Sequence, residues 1–142
     1  MRKILFLDID GVVNSRNTTD FRNNLYPVDS YMAFMVGKIQ LDTGCQVVLS
    51  SSWRSHPDGI AAVEKQIVKI IDKTPYLNGH FRGAEVNRWL VEHGQDVERY
   101  AILDDDSDFW PWQPLFKTEF QTGLNEKIAE RVTKYLNGES HE

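Results

Sequence analysis

The hydrophobic positions of this chain follow two different rhythms. Three blocks are short and continuously apolar before they turn polar: KILFLDI (3–9), CQVVLSS (45–51) and YAILDD (100–105). Strands buried on both faces of a parallel sheet read this way. PLFKTEF (114–120) reads as a further short strand. Between these blocks the apolar positions recur at helical spacing. Residues 28–44 form one such segment, with Asp29 or Ser30 as N-cap and Gly44 as stop. Residues 57–73 place Ile60, Val63, Ile67 and Ile70 on one face. Residues 83–94 do the same with Val86, Trp89 and Leu90, and residues 125–138 with Ile128, Val132, Tyr135 and Leu136. Strand and helix alternate throughout. The pattern predicts an α/β domain, a Rossmann-like three-layer sandwich with a central parallel sheet, spanning 1–142 as one unit. Two long loops remain, 12–27 and 105–114.

Each clear strand ends in polar residues. The first ends in Asp8 and Asp10 with Gly11 behind them. The second ends in Ser50, Ser51 and Ser52, and the third in Asp104, Asp105 and Asp106, with Asp108 beyond. Ligands of open parallel sheets bind at these carboxyl ends. Acids gathered there repel one another unless something compensates, and a hard, oxygen-seeking cation such as Mg²⁺ does so.

Composition narrows the picture. The formal net charge is −5, so the chain is no basic nucleic-acid platform. The single cysteine, Cys45, excludes an internal disulfide and reads as a structural thiol. No apolar stretch is long enough to span a membrane. The N-terminal run reaches Asp8 too soon for a signal peptide, and a cytoplasmic location is expected.

Taken together, the motifs resemble those of the haloacid dehalogenase-like (HAD) superfamily of phosphohydrolases. DIDG (8–11) is similar to its first motif and VVLSSSWR (47–54) to its second. AILDDDSD (101–108) is similar to its fourth, and Arg82 in HFRGAEVNRWL stands where a third-motif cation would open a helix. The succession SSSWR, RGAEVNRWL, ILDDDSDF and KTEFQTGL resembles more narrowly the branch found in Swiss-army-knife RNA repair proteins. The resemblance implies that Asp8 attacks phosphorus and that Asp10 serves as general acid and base. It implies that a serine hydroxyl, Ser50 or Ser51, and Arg82 hold the phosphoryl oxygens. Mg²⁺ would be bound by Asp8, the carbonyl of Asp10, Asp104 and Asp105, with the outer acid open among Asp105, Asp106 and Asp108. Asp104 and Asp108 have the D-x-x-x-D spacing of a variant whose outer acid acts through water. Gly11, Arg54 and Lys117 complete the expected substrate-binding set. There is too little chain before the first helix or the third motif for a substantial cap domain. The open cleft then suits a nucleotide or nucleic-acid end phosphate.

Plainer readings stand beside these. Asp8 and Asp10 could form a turn, and one of the serines could cap the helix near Pro57. Arg82 could pair with Glu85, leaving Lys117 as the phosphate-binding cation. Arg16, Arg22 and Arg54 could form a cationic rim or simply be surface residues. The WPW at 110–112 reads first as packing and second as a stacking surface for a flat substrate group. At the level of function, a receiver-like phospho-acceptor switch and a non-catalytic phosphate-binding module are the alternatives.

Overall fold

The computed structural model describes residues 1–18 and 26–140. Five parallel strands form one sheet: β1 (Arg2–Leu7), β2 (Gln46–Leu49), β3 (Asp72–Lys73), β4 (Val97–Asp104) and β5 (Leu115–Lys117). Their spatial order is β3-β2-β1-β4-β5. The helices are α1 (Ser30–Thr43), α2 (Pro57–Gln66), α3 (Arg82–His93) and α4 (Glu126–Leu136), with a 3₁₀ turn at Ser52–Ser55.

β1 is the central strand, which explains its unbroken apolar run. Ile4, Leu5, Phe6 and Leu7 are all fully buried, and their alternation divides them between two cores. Leu5 and Leu7 join Val47, Leu49, Ala101 and Leu103 under residues of α1, α2 and α4. Ile4 and Phe6 join Val48 and Ile102 under Val86 and Trp89 of α3. Phe6 meets the Trp89 ring edge-on at 5.5 Å. The three-layer α/β sandwich predicted from the alternation is the observed fold.

Local signals set three of the helix ends. Asp29 Oδ1 accepts from the backbone N–H groups of Tyr31 and Met32, both at 3.0 Å, and caps α1. Gly44, at φ 72°, ends that helix in the left-handed conformation. Asn125 caps α4 by accepting from Ile128 N–H at 2.9 Å.

Two element boundaries differ from the sequence reading. The helix predicted over 57–73 stops at Gln66, and Asp72–Lys73 turns into the edge strand β3, in register with Val48 and Leu49. Ile67 and Ile70 still pack on the core, so their helical spacing misled. Conversely, the strand predicted over 114–120 is only Leu115–Lys117, and Glu119 bridges back to Gly123 instead.

Candidate active site

Register builds the centre of the site. Leu7 lies beside Leu49 on one side and Leu103 on the other. The next residue on each strand is therefore level: Asp8, Ser50 and Asp104. Backbone hydrogen bonds continue the ladder, from Asp8 N to Leu103 O at 3.0 Å and from Ser50 N to Leu7 O at 2.9 Å. By strand alternation these three share the α3 side of the sheet with Phe6, Val48 and Ile102.

Arg82, the first residue of α3, spans the three strand ends. Its Nη1 donates to Asp8 Oδ1 at 3.1 Å, to Asp104 Oδ2 at 3.2 Å and to the Ser50 carbonyl at 2.8 Å. What places it is remote in sequence. Phe81 offers no side-chain cap to α3. Asp108 supplies one from the β4–β5 loop: its Oδ2 accepts from Arg82 N–H at 3.2 Å, and its carbonyl from Gly83 N–H at 3.0 Å.

Asp8, Asp104 and Asp105 each bring one carboxylate oxygen within 4.8 Å of the others. Asp8 is 3% exposed and Asp104 fully buried. Burial first, then the facing Asp104 carboxylate, hold the Asp8 pKa well above the ordinary range, although Arg82 pulls the other way. Burial likewise pushes Asp104 up to about 6. Desolvation works to lower the Arg82 pKa, but Asp8 and Asp104 outweigh it and the net shift is upward. When both are ionised, two buried acids against one guanidinium leave excess negative charge. The third acid, Asp105, adds to it. An all-oxygen donor set of this kind suits Mg²⁺, so Asp8, Asp104 and Asp105 fit such an ion.

Gly11 follows from the same crowding. Its φ of +82° is one that side chains rarely adopt, and an added Cβ would stand 2.3 Å from Asp105 Oδ2. Asp105 thus lies over the first-strand turn. Of the outer acids, Asp105 is the one that joins the cluster. Asp106 is exposed, with its carboxylate on Ser107 N–H at 2.7 Å, and Asp108 is engaged at the start of α3.

Asp10 stands apart from the three clustered acids. Its Oδ1 accepts from Asn14 Nδ2 at 2.9 Å and its Oδ2 from Trp53 Nε1 at 3.1 Å. Neither partner was a sequence candidate. Asn14 had a readable signal, since it sits in the turn after DIDG and its Oδ1 accepts from Gly11 N–H at 3.0 Å. Trp53 had none.

The remaining candidates separate cleanly. Ser51 Oγ accepts from Trp53 N–H at 3.1 Å and caps the 3₁₀ turn. Ser50 Oγ is buried with no partner among the described residues. Arg54 does not stand at a rim. It is 6% exposed, paired with Glu85 at 2.9 Å, and donates to the carbonyls of Ser50 and Ser51 at 2.7 and 3.0 Å. Arg16 is exposed, and Arg22 lies outside the described residues. Lys117 is in register with Asp104 but sits on the edge strand, 3.8 Å from Glu119. Glu85 pairs with Arg54 and leaves Arg82 to the acids. A cleft of about 260 Å³ opens beside Arg82, lined by Arg54, Tyr76, His80 and Asp108 among others. A larger hollow of about 670 Å³ borders α1 and the end of α2, but it carries no acid cluster and lies away from this chemistry.

A parallel sheet with acids at two adjacent strand ends, a serine pair at a third and a helix-opening arginine defines a HAD-like domain. Within that class, the chain belongs to the family described as the HAD domain in Swiss Army Knife RNA repair proteins, which matches residues 4–129. Comparison with curated proteins and with solved structures returns no match. Membership points to phosphatase-type chemistry, and HAD domains typically use Mg²⁺. No helix among the described residues is long and apolar enough to cross a membrane.

Proposed function

We propose that residues 1–142 act as one HAD-like, Mg²⁺-dependent phosphatase that hydrolyses phosphomonoesters through an aspartyl-phosphate on Asp8. One observation carries the reading: the buried acids Asp8 and Asp104 meet Asp105, while Asp10 stands beyond them with both oxygens held.

These positions support the following roles. Asp8 Oδ attacks phosphorus as the ester P–O bond breaks, and Asp10 gives its proton to the departing oxygen. Asp10 then takes a proton from water as that water attacks the phosphoryl group. Inorganic phosphate leaves and the Asp8 carboxylate is restored. Arg82 and the free hydroxyl of Ser50 hold the phosphoryl oxygens, where charge spreads in the transition state. Asp8, Asp104, Asp105 and the Asp10 carbonyl would hold Mg²⁺, which when bound offsets the charge of acids and phosphoryl group. Gly11 lets the chain turn away beneath Asp105. Ser51, Arg54 and Lys117 take supporting places.

The absence of room for a large cap between Leu7 and Ser30 favours an open cleft and a phosphate at the end of a large molecule. The family's description supports a nucleotide or nucleic-acid end phosphate. The test is Mg²⁺-dependent phosphate release from an aryl phosphate and from oligonucleotides with 3′ or 5′ phosphates. Trapping of a phosphorylated Asp8 peptide is expected. Turnover without Mg²⁺, or undiminished in Asp8→Asn, would falsify the mechanism.

A further inference from the structure

The β4–β5 loop carries an aromatic ladder that the phosphoryl chemistry does not use. Trp110 and Trp112 lie within 12° of parallel, with ring centroids 5.4 Å apart. Trp110 meets Phe81 edge-on at 4.7 Å. Phe81 immediately precedes Arg82, so the ladder begins one residue from the side chain that touches Asp8.

The ladder is braced. Gln113 Oε1 accepts from Trp110 N–H at 2.9 Å, and Gln113 Nε2 donates to the Gly83 carbonyl at 3.0 Å. Loop and helix press together at that point, where a Cβ on Gly83 would come within 2.4 Å of Gln113 Oε1. Pro111 and Pro114 fix two of the loop's φ angles. Asp108, in the same loop, holds the Arg82 backbone. The aromatic stack and the phosphate-facing arginine are thus parts of one rigid unit.

The outer end of the ladder is not packing. Trp112 is 64% exposed, and a tryptophan that serves a core gains its stability from burial. A large flat ring braced from behind by a parallel neighbour is the arrangement that accepts a further flat ring.

We propose that Trp112 is a stacking platform for a nucleobase of the substrate, so that the site takes phosphorylated ends of single-stranded nucleic acid. This rests on the phosphatase reading for the end phosphate and adds the residue that meets the bases and the preference for single strands. A base suits the platform because every base has a π-face, and stacking needs no positive charge. That matters in a chain of net charge −5 whose platform loop also carries Asp106 and Asp108. Affinity drawn from stacking falls little with salt, unlike affinity drawn from phosphate contacts. Bases paired within a duplex are not free to stack on a side chain, so single strands are preferred.

The experiment compares the parent, Trp112→Ala and Trp112→Phe on an end-phosphorylated oligoribonucleotide and on the same oligomer made abasic at its last two positions. On the intact oligomer, Trp112→Ala is expected to lower kcat/KM roughly 5- to 150-fold, mainly through KM, the range for losing one base–aromatic stack. Trp112→Phe should recover part of that loss. On the abasic oligomer the parent and Trp112→Ala should coincide. Equal losses on both oligomers, or no loss on either, overturn the proposal. A binding titration in the Asp8→Asn background, read by tryptophan fluorescence quenching, needs no turnover. If the parent hydrolyses an aryl phosphate but no oligomer binds, the platform falls and the phosphatase reading stands. If no substrate turns over but the oligomer still quenches fluorescence, and Trp112→Ala abolishes that quenching, the phosphatase reading falls alone.

Discussion

Trp53 donates its indole N–H to Asp10 Oδ2 at 3.1 Å, across 43 residues of sequence. The bond ties the proposed general acid–base to a ring that is itself buried and set edge-on against Tyr26 at 5.0 Å. Asn14 holds the other oxygen. The carboxylate is therefore aimed rather than free to rotate, which is what proton transfer to one defined oxygen needs.

Asp10→Asn should slow turnover by roughly 10²–10⁴, the usual range for losing a general acid–base. Trp53→Phe keeps the ring and removes the donor, so it should give a smaller loss of the same kind. Both defects should shrink for leaving groups that need no proton. Kinetics with a nitrophenyl and an alkyl phosphate provide the check. An equal defect on both esters takes Asp10 out of this role.

Asp8→Asn should abolish turnover while the protein still folds. The substitution removes a buried charge that faces Asp104, and Arg82 keeps Asp104 as its partner. Thermal unfolding should show a Tm equal to or above the parent's. A clear drop in Tm means that the Asp8–Arg82 pair contributes more than the Asp8–Asp104 repulsion costs.

Stability should fall with pH in the absence of Mg²⁺. Burial raises Asp104 to about 6 and Asp8 well above its ordinary range. The folded chain thus keeps protons that the unfolded chain has lost from about pH 4 upward. Where the unfolded state binds fewer protons, the folded state loses stability as pH rises. The contribution is complete below about pH 4 and declines through about pH 6 and above. Mg²⁺ should cancel the decline because it binds the ionised acids of the folded state alone. Tm against pH, with and without Mg²⁺, for the parent and Asp104→Asn, measures this. If the parent and Asp104→Asn show the same slope, Asp104 is not the group responsible.

Gly11→Ala should destabilise the fold by about 1–3 kcal/mol, the cost of holding a side chain at a disfavoured φ. It should also lower activity, because the new methyl meets the Asp105 carboxylate. Urea unfolding and the Mg²⁺ dependence of turnover report the two effects separately. An unchanged Mg²⁺ requirement would show that Asp105 can move without consequence for metal binding.

Glu85→Ala strands the Arg54 guanidinium, which is buried and held to two carbonyls. The expected loss is about 3–5 kcal/mol, as for breaking a buried pair from one side. The double variant Arg54→Met/Glu85→Leu should regain much of it. If Glu85→Ala alone costs nothing in urea unfolding, the pair is not a structural strut.

The sequence by itself determined the layer architecture and which polar residues stand at the carboxyl ends of the strands. A strand buried on both faces must be continuously apolar, and a polar residue can enter it only where it ends. Asp8, the serines and the triple aspartate were therefore legible as strand ends, and Arg82 as a helix start. The helix read over 57–73 was not separable from β3, because Ile67 and Ile70 pack on the core whether or not the helix continues. Only the tertiary structure decided the rest. Register brought Asp8, Ser50 and Asp104 level and gave the free hydroxyl to Ser50 rather than Ser51. Arg82 reaches Asp8 across 74 residues and is placed by Asp108 across 26. Arg54 lies buried against Glu85 while it also lines the cleft beside Arg82. The physical reason is the range of the interactions. Periodicity and capping act within a few residues and leave their mark in the local sequence. A hydrogen bond between distant segments depends on how the sheet aligns them, and nothing near Trp53 or Asp108 in the sequence records the partner each one meets.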